Sequence, residues 1–157
     1  KIEAGLARNF YYVGREKPYK NVKPRIIIEE YIGNDNTDLP DYKLMCFDGI
    51  YKMAFTCTER YSESGLKVTF FDTEWNMLPF QRVYPVSKKH IEKPRFYEEM
   101  IHVAETLARG LKFLRVDFFV VNNRCYVGEL TFYPGNGFEK FEPEEWDAKV
   151  GEMLVIK

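Results

Sequence analysis

The sequence predicts an α+β domain built on a mainly antiparallel sheet with two flanking helices. Three observations carry this. Two turn dipeptides, Asp48-Gly49 and Asn122-Asn123, each join a pair of strand-like segments, which is the mark of a β-hairpin. Helical spacing of apolar residues occurs in two stretches, after Pro94 and after Pro143. The resulting order of strand, hairpin, strand, helix, hairpin, helix joins strands by short turns rather than by helical crossovers.

The elements follow in order. Residues 1–24 are basic and aromatic, with a short helix expected up to Tyr11 or Tyr12 and then a connection rich in Pro and Lys (Pro18, Lys20, Lys23, Pro24). Arg25 to Tyr31 reads as a buried strand, because Ile26, Ile27 and Ile28 form an unbroken branched apolar run. Residues 33–40 are a polar loop. Asp41 to Phe47 and Ile50 to Arg60 form the first hairpin, and Leu66 to Phe71 forms a further strand. Pro94 suits a first helical turn, and the stripe Met100, Ile101, Ala104, Leu107, Ala108 ends at Gly110. The second hairpin starts near Leu114. Pro143 opens the last helix, with Trp146, Val150, Met153 and Leu154 on one side.

At 157 residues the chain is long enough for one domain with a real core. A net charge of -1 argues against a general nucleic-acid or membrane-surface binder, and no apolar stretch is long enough to span a bilayer. Cys46, Cys57 and Cys125 are odd in number and widely spaced, which suits reduced thiols rather than a disulfide frame or a zinc site. With no apolar signal segment at the start, a cytoplasmic location is expected.

The chemistry concentrates in LRVDFFVVNNRCYVGELTFYPGNGF, residues 114–138. Strand residues alternate between faces, so Arg115 and Asp117 share one. A three-residue loop would pair Val121 with Cys125 and set Asp117 opposite Glu129 and Arg115 opposite Thr131. Opposed carboxylates repel unless positive charge lies between them, and Mg²⁺ is a natural occupant because it takes hard oxygen ligands and keeps phosphate oxygens and water. A two-residue turn would instead send Asp117 and Glu129 to opposite faces. The plain alternative is an ordinary hairpin with a salt bridge from Arg115 to Glu129 or Asp117.

No GxxxxGK[ST] or GxGxxG loop is present, so a nucleotide would have to be held by side chains on the sheet. With Asp48-Gly49 as a regular turn, Met45 pairs with Lys52 and Lys43 with Ala54. One face then gathers Asp41, Lys43, Lys52 and Thr56, with Arg60 continuing it. The same face also reads as an ordinary solvated surface.

The run Arg115, Asp117, Glu129 followed by Pro134-Gly135 resembles the metal-binding end of ATP-grasp enzymes, D-alanine–D-alanine ligases in particular. The resemblance implies that Arg115 contacts the transferring phosphoryl group while Asp117 and Glu129 hold magnesium. Thr131 stands where that pattern has a ligating asparagine, and Asn136 is a second candidate, as ligand or as substrate contact. Glu29-Glu30-Tyr31-Ile32 resembles the hinge that binds adenine, through Glu29, Glu30 and the backbone of Ile32. Asp41 matches the acid that binds ribose, and Lys43, Lys52 and Arg60 are phosphate candidates by face alone. The segments DYKLMCFDG, FDTEWNMLPF and GELTFYPGNGFEKFEPEEW resemble the TupA-like branch of this superfamily, associated with teichuronopeptide and surface-polysaccharide synthesis.

The fold implied is an ATP-grasp carboxy-terminal lobe over residues 25–157, with 1–24 as the end of a preceding lobe that would carry a further phosphate-binding lysine. The activity implied is ATP- and Mg²⁺-dependent carboxylate–amine ligation, acting on an amino acid or peptide and a uronic-acid or polysaccharide-type substrate. A glycosyltransferase-type enzyme and a non-catalytic nucleotide-binding module are the alternatives.

Overall fold

A computed structural model describes residues 2–32 and 39–156. Its centre is a five-stranded antiparallel sheet in the order β3-β2-β1-β5-β6. The strands are β1 (Asp41–Phe47), β2 (Ile50–Thr58), β3 (Lys67–Phe71), β5 (Phe113–Val121) and β6 (Arg124–Thr131). A two-stranded ribbon, β4 (Gln81–Arg82) with β7 (Phe141–Glu142), lies beside it. Helices α1 (Ile2–Leu6) and α2 (Tyr11–Gly14) precede the sheet, and α3 (Tyr97–Ala108) and α4 (Glu145–Gly151) flank it. The α+β class is therefore observed.

Both hairpin turns take two residues. Asp48 and Gly49 have φ of 49° and 81°, and Asn122 and Asn123 have 50° and 59°. Left-handed conformations at both central positions match the twist of the flanking strands, and Asp, Asn and Gly tolerate them best.

Each hairpin then carries a β-bulge a few residues beyond its turn. In the first, Cys46 pairs with Tyr51 but Met45 pairs with Met53, leaving Lys52 as the extra residue. Lys43 thus faces Phe55, and Asp41 faces Cys57. This corrects the expected pairings of Met45 with Lys52 and Lys43 with Ala54. The bulge lets Tyr51 and Ala54 both turn toward α3, while Met53, Phe55 and Cys57 turn to the other side, so both faces of the hairpin are apolar there.

One sheet face is closed by α3, which buries Tyr97, Met100, Ala104 and Ala108 against Leu44, Ala54, Leu114, Val116 and Phe118. Each fully buried Met or Leu here contributes about 2 kcal/mol of transfer free energy. Leu107, expected in the stripe, is exposed instead. The opposite face packs Met45, Met53, Phe55 and Phe70 under Phe80 and Val150, with Trp146 of α4 stacked on Phe80 at 4.7 Å. At its other end this second face is polar.

The expected strand over Arg25–Tyr31 does not form. Those residues join no sheet, and Ile27 and Ile28 are 80 % and 92 % exposed. An all-apolar strand requires cover on both sides, and the two faces of the sheet are already taken by α3 and by the β4, β7 and α4 layer. Most of the polar loop expected at residues 33–40, namely 33–38, lies outside the described residues. No described helix is long and apolar enough to cross a membrane.

Candidate functional site

The polar end of the second face is built from β1, β5 and β6. Past the two-residue turn, β5 and β6 pair Val121 with Arg124 and Phe118 with Val127. The register then shifts, and Asp117 pairs with Glu129 and Arg115 with Thr131. Gly128 is the extra residue. The opposition of the two acids, expected from a three-residue loop, thus arises from a shorter turn plus a bulge. Without the bulge the glutamate would face α3. A Cβ on Gly128 would lie 2.8 Å from Cδ2 of Phe119, so the ring packs onto the bulged backbone and only glycine leaves it room.

On the β1 side, Lys43 pairs with Asp117 and Asp41 with Phe119. Asp117, whose side chain is 1 % exposed, accepts from Arg115 Nε (2.6 Å, Oδ1) and Nη2 (2.8 Å, Oδ2), and Lys43 Nζ also donates to its Oδ2. Lys43 Nζ further reaches Asp41 Oδ2 at 2.8 Å, and Arg60 Nη2 lies 3.4 Å from the same oxygen. Glu129, 60 % exposed, has Oε1 3.4 Å from Arg115 Nη2 and accepts from the Thr131 hydroxyl at 2.8 Å. The sequence-predicted salt bridge therefore exists from Arg115 to both acids, and the positive charge beside Asp117 is that of Arg115 and Lys43.

Burial raises the Asp41 carboxyl above its ordinary value, against the opposing pull of Lys43. Burial pulls the Arg115 guanidinium down, but the hydrogen bond to Asp117 and the surrounding carboxylates outweigh it and hold it above its usual range. Asp41 Oδ1 is buried and accepts no hydrogen bond from the described residues. Such an orphaned acceptor is costly unless a donor arrives, and a ribose hydroxyl is one.

Asp41 and Arg60 also border a cavity of about 780 Å³, together with Glu29, Glu30, Ile32, Phe119 and Gly128. Five sequence-predicted nucleotide residues (Glu29, Glu30, Ile32, Asp41 and Arg60) thus share one cavity. The irregular segment carrying Ile32 reaches it without being a strand. Lys52 does not join them, because as the bulged residue it lies near Asp48, Lys149 and Glu152 at the far end of the hairpin. Thr56, expected on the face of Lys43, is buried on the opposite face.

No group of three or more His, Cys, Asp or Glu able to hold a metal converges among the described residues. The donors a magnesium ion would use are Asp117, Glu129 and Thr131, and both oxygens of Asp117 are engaged by Arg115 and Lys43. Two carboxylates and a hydroxyl share one sheet face, and phosphate oxygens and water would fill the remaining positions. Asn136, the other ligand candidate, lies in the loop after β6. It adopts φ of 56° and packs against Gly14, where a Cβ would be 2.8 Å from its Cγ.

Sequence reasoning missed three residues of this face. Gly128 carried a usable signal, since an isolated glycine within a strand pattern marks a bulge or a close backbone approach. Phe119 and Arg82 carried none. Arg82 joins the face only through tertiary packing, lying over the rings of Phe55, Phe70 and Phe141 at 5.8, 5.5 and 5.7 Å.

Comparison with known proteins agrees with this geometry. The family described as TupA-like ATPgrasp matches residues 1–155, which include the amino-terminal segment. No curated protein and no solved structure matches the chain. A match over nearly the whole length, on a chain that sets a nucleotide-sized cavity beside an Asp, Glu and Arg cluster, makes this protein a member of the TupA-like ATP-grasp family.

Proposed function

We propose that this chain works as an ATP- and magnesium-dependent carboxylate–amine ligase of surface-polymer synthesis, acting through an acyl phosphate. Membership of an ATP-grasp family supports nucleotide binding. The observation that carries the finer reading is the order of side chains along one face of β5. Phe119 borders the cavity, Asp117 and Arg115 follow, and Phe113 ends the row. Same-face residues repeat about every 6.8 Å, so the row extends over about 20 Å from nucleotide pocket to acceptor end.

In this reading Glu29, Glu30 and Ile32 hold the base, Asp41 accepts from the ribose, and Lys43 and Arg60 turn toward the phosphates. Asp117 and Glu129, helped by Thr131, would hold magnesium, which would neutralise phosphate charge when bound. A carboxylate oxygen of the acceptor attacks the γ-phosphorus. The bond to the β–γ bridging oxygen breaks, and ADP leaves with that electron pair. Arg115 stabilises the charge on the transferring group. An amine then attacks the acyl carbon, the bond from carbon to the phosphate oxygen breaks, and the amine proton passes to solvent.

Binding of Mg-ATP at a hundredfold excess over Kd stabilises a fold by about 2.7 kcal/mol, a readily measured thermal shift. Glu129→Gln is the useful variant, because its side chain is exposed and the fold tolerates it. Loss of the magnesium-dependent part of the shift supports the assignment, and full retention excludes it. Turnover of a sugar nucleotide without ADP release would favour a glycosyltransferase instead.

A further inference from the structure

A second cavity, of about 640 Å³, opens on the same sheet face beyond Arg115. Its floor is Met45, Phe47 and Phe113, and Met45 is the direct cross-strand neighbour of Arg115. Phe132 and Tyr133, which follow Thr131, form part of its wall. The lining is otherwise largely apolar apart from Lys112, Glu139, Asp147 and one buried cation, Arg82, whose side chain is 11 % exposed. Arg82 and Arg115 approach the same Phe55 ring, each guanidinium carbon 5.8 Å from its centroid.

Among the described residues Arg82 has one carboxylate partner, Glu139, with Nε to Oε2 at 2.9 Å. Glu139 belongs to the loop after β6, is 32 % exposed, and lies across Gly135, where a Cβ would be 2.6 Å from its Oε1. A guanidinium held rigidly among three rings offers a planar fork that suits a carboxylate. Its present partner is the more exposed member of the pair.

We propose that Arg82 and this cavity form the subsite for the acceptor, a carboxylate carried on an apolar body, and that Glu139 holds the place of that carboxylate until the acceptor enters. The assignment of the acceptor role rests on the ligase reading above. Binding of a carboxylate to Arg82 does not. The arrangement also accounts for a buried arginine on the β4–β7 ribbon that shares the Phe55 ring with Arg115. An acceptor acid seated on Arg82 lies beside the same Phe55 ring that Arg115 approaches.

The test uses phenylacetate and its uncharged analogue phenylacetamide, titrated without nucleotide and followed by NMR on the Arg82 side-chain Nε–H and on backbone amides of Phe113 and Phe132. Phenylacetate is expected to bind with shifts confined to this cavity, and phenylacetamide to bind at least about tenfold more weakly. Glu139→Gln, which removes the internal competitor, is expected to tighten phenylacetate several-fold, and Arg82→Gln to weaken it about tenfold or more. Glu139→Gln keeps the test valid should Arg82→Gln not fold. Equal affinity for acid and amide, or unchanged affinity in Glu139→Gln, overturns the subsite. Retained Mg-ATP stabilisation in Glu139→Gln separates this outcome from failure of the nucleotide site, since a chain that binds no Mg-ATP yet takes phenylacetate at Arg82 refutes only the ligase reading.

Discussion

Replacing Gly128 by alanine tests whether the bulge positions the acid pair. The new methyl group would sit 2.8 Å from Cδ2 of Phe119 and 3.5 Å from its Cζ. Gly128 does not have positive φ, so the cost comes from overlap rather than backbone strain. Overpacking of this kind costs about 1–3 kcal/mol. With a loss of about 2 kcal/mol and an m-value of about 2 kcal/mol/M, the urea midpoint falls by about 1 M at unchanged m. The ring and the bulge both border the nucleotide cavity, so Mg-ATP affinity falls with stability. Adding Phe119→Leu to Gly128→Ala should recover at least 1 kcal/mol or so relative to the sum of the single changes, because the two sites are in direct contact. Purely additive single effects, or an alanine variant with wild-type midpoint and affinity, would refute a ring seated on the bulge.

Other outcomes follow from the same geometry. Asp117→Asn leaves Lys43 and Arg115 facing each other without their shared anion, and denaturation should show a loss of about 3 kcal/mol. Asp41 has a raised pKa, so the stability it lends is full below its unfolded value of 3.8 and is lost as pH rises through the folded value. The stability of Asp41→Asn relative to wild type should therefore improve as pH rises above the unfolded value of 3.8, measured by urea unfolding at each pH. A constant difference across that range would contradict the burial effect. Lys52→Ala should leave both melting temperature and Mg-ATP affinity unchanged, because the bulge carries Lys52 away from the site.

Much of the fold was legible because local chemistry wrote it. Asp48-Gly49 and Asn122-Asn123 specify their turns through a shared tolerance of positive φ, and the Met100, Ala104, Ala108 spacing specifies the face that α3 buries. The pairing of Asp117 with Glu129 and of Arg115 with Thr131 was expected from a three-residue loop, but it arises from a two-residue turn and an extra residue at Gly128 that a count from the turn overlooks. The bulge at Lys52 had no local sign at all, and it reassigned every residue from Met53 to Thr58. Ile26 to Ile28 misled for a different reason. Three consecutive isoleucines are compatible with a strand, but pairing requires a free sheet edge and cover on both sides, and neither is encoded within the run itself. Arg82 is placed by three aromatic rings distant in sequence, so only the assembled fold brings it to the face.

The sheet order has a kinetic consequence for the acids. Asp117 lies on β5, hydrogen-bonded to strands on both flanks, whereas Glu129 lies on β6, which has a neighbour on one flank only among the described strands. Outer strands fray at lower free energy than inner ones, so amide hydrogens around Glu129 should exchange with deuterium well before those around Asp117. The two opposed acids are thus unequally anchored: the aspartate sits on a strand held from both sides, and the glutamate on a strand held from one.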